Sequence, residues 1–219
     1  MPRGWSERTN RSRGLRGARG ENVAERSIWA DRFLAACFIE GAVAFAGMGY
    51  LLFLSVATTP GPARVVAGGG GGTWFTVGLI GFALICVLGC GLSALFYHYV
   101  EVTKGVPYTG WRNLFAWGHL IAGVGVSSAG SLLAAWGGLN AGIAALPASS
   151  GGGGQNFAYI HANILGPLTV PLAIMMGIGL AGFFAGGFAY FTAWWATVKR
   201  DGGLLRAKKA PEAAAEPAK

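Results

Sequence analysis

The chain has 219 residues, of which 53% are hydrophobic and only 12% charged, and its mean hydropathy is +0.48. Charged residues make up about a quarter of an ordinary soluble chain, so this composition excludes a soluble globular protein. It indicates an integral membrane protein of the helical type, and the length allows one domain. The 38 glycines fit this class, because small side chains let membrane helices approach closely.

The basic residues are distributed unevenly along the chain. Of the 17 Lys and Arg residues, eight lie in 1–32, six in 199–219 and two in 101–112, which leaves Arg64. Because positive residues concentrate on the cytoplasmic side of membrane proteins, this pattern predicts that both termini are cytoplasmic. No aromatic residues alternate with these charges on one face, so we expect no nucleic-acid partner despite the net charge of +8.

The first half of the chain predicts a basic tail and two membrane spans. Residues 1–32 are rich in Arg, Gly and Ser and are expected to be partly disordered, with Trp29 at the level of the lipid headgroups. Residues 33–57 are predicted to form the first span, since 25 residues of helix reach about 37 Å. A Pro- and Gly-rich loop follows, and the second span is predicted over 74–99.

The second half predicts two further spans and a tail. The third span is predicted over 113–139, with small residues on one face for helix contact: Gly123, Ser127, Gly130 and Ser131. The fourth is predicted over 168–198, with Pro167 and Pro171 near its first turns and the pair Gly182 and Gly186 at contact spacing. Residues 199–219 read as a solvated cytoplasmic tail. The expected fold is therefore an all-α bundle of four transmembrane helices over 33–198.

Glu40 is the acidic residue that falls inside a predicted apolar span, and His119 lies in another span. Ionisable groups inside a bilayer cost several kcal/mol and are functional candidates for that reason. Both residues lie about 9–10 Å from the cytoplasmic end of their predicted helices by helical rise, so we expect them at similar depth. His98 ends the second span on the same side.

Four interpretations of these residues compete. In the first, Glu40 and His119 hydrogen-bond to each other or to backbone carbonyls, which stabilises the bundle modestly. In the second, His98 and His119 are the axial ligands of a b-type haem. In the third, Glu40 and His119 form a proton or ion relay. In the fourth, Glu40, His98 and His119 bind a single metal ion whose identity the ligand types do not specify.

The remaining motifs do not indicate chemistry. Cys37, Cys86 and Cys90 fall inside apolar spans and are expected to be small packing residues. Residues 177–182 match GxGxxG, but a dinucleotide site needs this motif after a strand in a soluble unit. His161 lies near the outer end of the fourth span, away from the other histidines. No hydrolase, nucleotide-binding or lipidation motif is present.

The sequence therefore predicts a non-catalytic integral membrane subunit of a larger assembly, such as a respiratory or other electron-transfer complex. Haem b, bound through His98 and His119, is the candidate cofactor. The expected partners are other membrane subunits and lipid, in a hetero-oligomer. The alternative function is a proton-coupled channel or transporter that uses Glu40 and His119. The expected location is the plasma membrane of a prokaryote, as a multi-pass protein.

Overall fold

Four long helices make up most of the molecule. The computed structural model describes residues 26–67 and 69–214, with side chains for 26–67 and 69–203. These residues form helices and no strand. In chain order they are α1 (Ile28–Ala57), the short α2 (Pro62–Ala67), α3 (Gly71–Thr103), α4 (Trp111–Ala145) and α5 (Phe157–Gly203). All but α2 are long and apolar enough to cross a membrane. The predicted all-α fold with four such helices is confirmed.

The helices begin earlier or end later than hydropathy predicted. Helix α1 begins at Ile28 instead of residue 33, and the Ser27 hydroxyl caps it by accepting from the Ala30 amide at 2.9 Å. Helix α3 runs to Thr103 instead of residue 99. Hydropathy detects the apolar part of a helix, whereas capping and backbone hydrogen bonds determine its ends. The predicted tail 1–32 overlaps the described residues only from Arg26 onward.

Helix α5 differs most from the prediction. It begins at Phe157 instead of residue 168, and the Asn156 side chain caps it by accepting from the Tyr159 amide at 2.8 Å. Pro167 therefore lies inside the helix. The turn before it, His161–Leu165, is wound as a wider π-helix, which accommodates a proline that has no N–H to donate. The backbone continues as a helix to Ala214, into the segment we expected to be an unfolded tail.

Glycines set the spacing of α3, α4 and α5. A Cβ atom on Gly138 of α4 would overlap the backbone of Phe75 on α3, and a Cβ on Gly182 of α5 would overlap the backbone of Gly123 on α4. Only glycine allows backbones to approach this closely. The contact faces predicted around Gly123 and Gly182 are therefore confirmed.

Helix α1 packs differently from the others, because it contacts the bundle mainly through its first turns. Trp29 and Phe33 are 2% and 0% exposed. In contrast, no residue is buried in the most apolar 18-residue window of this 30-residue helix. Beyond Glu40, α1 therefore presents most of its surface to its surroundings.

We expect Gly182→Ala to lower the free energy of unfolding by about 1–3 kcal/mol, because the added methyl group forces α4 and α5 apart. The matched control is Gly177→Ala on the same helix, where an added Cβ meets no atom within 4 Å. That control should be neutral or stabilising by up to about 1 kcal/mol, since Ala favours helix over Gly. Titration with a denaturing detergent, followed by circular dichroism, measures both; equal effects would contradict the packing described.

Candidate functional site

A buried carboxylate lies where α1 meets the end of α3. Glu101 is 8% exposed, and one of its oxygens, Oε2, accepts hydrogen bonds from the Ser27 hydroxyl and from the Trp29 amide at 3.4 Å. The other oxygen, Oε1, accepts from the Tyr108 amide at 3.4 Å. A carboxylate at this position also interacts favourably with the partial positive charge of a helix N-terminus. Glu101 thus joins α1, α3 and the connection before α4.

His119 lies next to this junction inside an aromatic cluster. Its side chain is 8% exposed, and its Nδ1 shares a hydrogen bond of 3.3 Å with the Tyr97 hydroxyl. The rings of Phe33 and Phe183 lie 4.8 and 5.7 Å from the imidazole, between centroids. A Cβ on Gly186 would overlap the imidazole, so the backbone of α5 covers another side of the ring. Protein atoms therefore fill much of the space around His119.

An arginine packs against two tryptophans, Trp29 and Trp117, whose rings meet edge to face at the edge of this cluster. The Arg32 guanidinium lies 4.5 Å from the centroid of Trp29 and 4.7 Å from that of Trp117. Contacts of this kind contribute about 0.5–2 kcal/mol each. Trp29 is therefore part of the helix interface, and its expected position at headgroup level stays a prediction. The indole packs inward because Phe33 and Tyr97 provide a ring surface within 6.4 and 5.8 Å.

Glu40 belongs to a separate polar site deeper in the bundle. Its Oε1 accepts a hydrogen bond of 2.7 Å from the Ser128 hydroxyl. His119 contacts Phe33, and Glu40 follows Phe33 by two helical turns, so the carboxylate lies about 10 Å further along the axis. The expected equal depth of Glu40 and His119 is wrong, because α4 and α1 are offset along their axes. In the described structure, Glu40 hydrogen-bonds to Ser128 and His119 hydrogen-bonds to Tyr97.

The structure does not bring His98 and His119 to a common buried space. His98 is exposed, whereas His119 is buried among aromatic side chains. Haem binding by this pair stays a prediction, and the opposite exposure of the two rings gives it no support. The metal interpretation is wrong for the described residues, because no three His, Cys, Asp or Glu side chains there are placed to hold an ion. Glu40, His98 and His119 thus do not form a joint metal centre.

The remaining candidates behave as packing residues. Cys86 and Cys90 are free thiols with no exposed surface, and Cys37 donates weakly to the Val87 carbonyl at 3.5 Å. This agrees with the prediction of small packing side chains. His161 stacks on Phe157 with ring centroids 5.9 Å apart, at the opposite end of the molecule from His119.

Comparison of the chain with known protein families, curated proteins and solved structures finds no match.

We expect Glu101→Ala to lower the free energy of unfolding by about 2–3 kcal/mol, because three donors lose a charged acceptor. It should also increase amide hydrogen exchange in the first turn of α1. Asp201→Ala is the control: Asp201 is 49% exposed and lies 4.0 Å from Lys104, and such pairs contribute at most about 1 kcal/mol. Unchanged exchange at the start of α1 in Glu101→Ala would contradict the anchoring role.

Tyr108 lies in the connection between α3 and α4 and gives a pH-dependent prediction. Burial raises the pKa of the Tyr108 phenol, and the neighbouring Tyr97 and the negative charge of Glu101 add to this effect. The folded state thus holds its proton above pH 10, where an unfolded tyrosine loses it. The contribution of the Tyr108 phenol to the free energy of unfolding is therefore fully present below about pH 10 and decreases as pH rises further.

Spectrophotometric titration of the folded protein should show the same phenolate amplitude near pH 11 for wild type and Tyr108→Phe. After unfolding, the wild type should show one phenolate more. A smaller amplitude for folded Tyr108→Phe would mean that the Tyr108 phenol titrates normally.

Proposed function

We propose that the chain is a non-catalytic integral membrane subunit that joins a larger membrane assembly through α1. The observation that carries this proposal is the exposure of α1: none of the residues in its most apolar window is buried. The described part of the bundle uses α3, α4 and α5 for its own close packing. Helix α1 is held at one end and leaves a long apolar surface for another protein.

One face of α1 has the form expected of a helix–helix contact. Four large side chains recur at intervals of seven or four residues and are strongly exposed: Phe38 at 71%, Phe45 at 84%, Leu52 at 63% and Val56 at 91%. Gly41 and Gly49 lie between them on the same face, with no atom within 4 Å of an added Cβ. We call these six residues the outer stripe of α1.

The glycines of the outer stripe favour a protein partner over lipid. A glycine inside a helix costs about 1 kcal/mol relative to alanine, and contact with lipid does not offset this cost. A partner helix does, because its side chains fill the gaps at Gly41 and Gly49 between the large residues. The stripe contains no charge, so the partner surface is expected to be an apolar transmembrane helix of another subunit.

We further propose that both termini face the cytoplasm, and that the assembly lies in a prokaryotic plasma membrane. The distribution of Lys and Arg supports this orientation. An electron-transfer complex would be one such assembly, but no described residue pair requires a redox cofactor. The alternative function, a proton-coupled transporter, stays a prediction. Glu40 and His119 contact different partners and lie about 10 Å apart along the axis, so their positions do not favour a direct relay between them.

A photo-crosslinking amino acid at position 45 tests the docking role directly in native membranes. We expect a discrete adduct between the chain and a different membrane protein. Position 184 is the control, because Phe184 on α5 is 71% exposed and should give adducts with lipid. Introducing Gly49→Leu into the position-45 crosslinking variant should reduce the yield of the protein adduct at least fivefold, since the larger side chain fills the space for the partner helix.

Three results would contradict this proposal: lipid adducts alone at position 45, adducts only with a second copy of the chain, or equal adducts from positions 45 and 184. Purification of the wild-type chain in mild detergent as a single monodisperse species, without partner chains, would also argue against a larger assembly.

A further inference from the structure

An apolar cavity lies between the second half of α1 and helices α3 and α4, on the side opposite the outer stripe. Its volume is about 240 Å³. Helix α1 contributes residues from Val43 to Leu51, including Ala44 and Gly47, while α3 and α4 contribute the facing wall. The facing wall includes Phe75, Leu79, Phe82, Leu132, Ala135 and Trp136.

The Glu40–Ser128 pair does not line this cavity but lies one helical turn before residues of α1 and α4 that do. Val43 and Ala44 follow Glu40 by three and four residues, and Leu132 follows Ser128 by four. Residues at these spacings are adjacent on one face of a helix. The Glu40 carboxylate, half-buried and bonded to Ser128 at 2.7 Å, therefore lies one helical turn from the apolar walls.

The charge and surroundings of Glu40 restrict what can occupy the cavity. A carboxylate inside a bilayer is costly unless it is paired, and Ser128 supplies one hydrogen bond through a neutral hydroxyl. A cation at the end of the cavity would neutralise the carboxylate in surroundings of low dielectric constant, where attraction between opposite charges is strong. The walls are almost entirely apolar and therefore favour an apolar group.

We propose that this cavity binds a small organic cation with an apolar tail, with the cationic head at Glu40 and the tail between α1, α3 and α4. The volume is somewhat below the roughly 300–1,000 Å³ of pockets for drug-sized ligands, so it suits one alkyl chain or a small ring system. The ligand enters from the membrane, because the cavity residues Met48, Tyr50 and Trp136 are 58–59% exposed. This inference does not depend on the proposed docking of α1.

Equilibrium binding of radiolabelled dodecyltrimethylammonium to the full chain, in nanodiscs of zwitterionic lipid, tests the proposal. We expect saturable binding that weakens at least tenfold in Glu40→Gln, which keeps the shape of the side chain and removes the charge. Dodecanol, which carries no charge, should show no such dependence on Glu40.

Two variants of α1 test the position of the tail and control for folding. Gly47 lines the cavity and Gly49 does not, and neither has an atom within 4 Å of an added Cβ. Gly47→Leu should weaken binding of the cation at least fivefold by filling the cavity, whereas Gly49→Leu should bind as the wild type does. Circular dichroism of each variant in the same nanodiscs verifies the helical fold.

Binding that is non-saturable, or equal in wild type, Glu40→Gln and Gly47→Leu, would show partition into lipid only and overturn the proposal. Equal loss in Gly47→Leu and Gly49→Leu would also overturn it, because the effect would then not come from the cavity. Loss of partner crosslinking in Gly49→Leu with retained cation binding would separate this site from the outer stripe.

Discussion

The carboxylate of Glu101 determines where α1 joins the bundle. Its two oxygens accept from Ser27 and Trp29 at the start of α1 and from Tyr108 before α4. A buried carboxylate is tolerated only when donors compensate for its lost hydration, so this arrangement holds the three segments in one geometry. The inward position of Trp29 and Phe33 follows from it, as does the contact of Arg32 with the rings of Trp29 and Trp117.

The cavity lies beyond this attachment, along the part of α1 in which no residue is buried. Glycines at the contacts of α3, α4 and α5 bring backbones together, whereas α1 faces the bundle with Val43, Met48 and Leu51. These side chains line one wall of the cavity, opposite Phe75 and its neighbours on α3. The buried residues of α1 lie in its first turns, and the space between the helices beyond Glu40 is apolar.

The sequence predicted the membrane class and the four long helices because hydropathy over some 20 residues is a strong signal. It did not predict the junction at Glu101. That residue lies in a short polar connection by hydropathy, and its burial depends on Ser27 and Tyr108, which the fold alone brings together. Local pattern also cannot give the axial offset between helices, which is why Glu40 and His119 were expected at one depth. The start of α5 was missed because its first turns contain His161, Asn163 and Pro167.

The two faces of α1 allow it to serve two partners without competition. Residues 47 and 49 are two positions apart, and a rotation of about 100° per residue places them on nearly opposite sides of the helix. The outer stripe therefore faces away from the bundle while Val43, Ala44 and Gly47 face the cavity. A partner helix bound to the outer stripe would leave the wall of the cavity uncovered, although it would restrict how far α1 can move. Because the cavity exists only between α1 and the other helices, any movement of α1 changes its width. In the described position of α1, docking and cation binding use separate faces of the same helix and do not depend on each other.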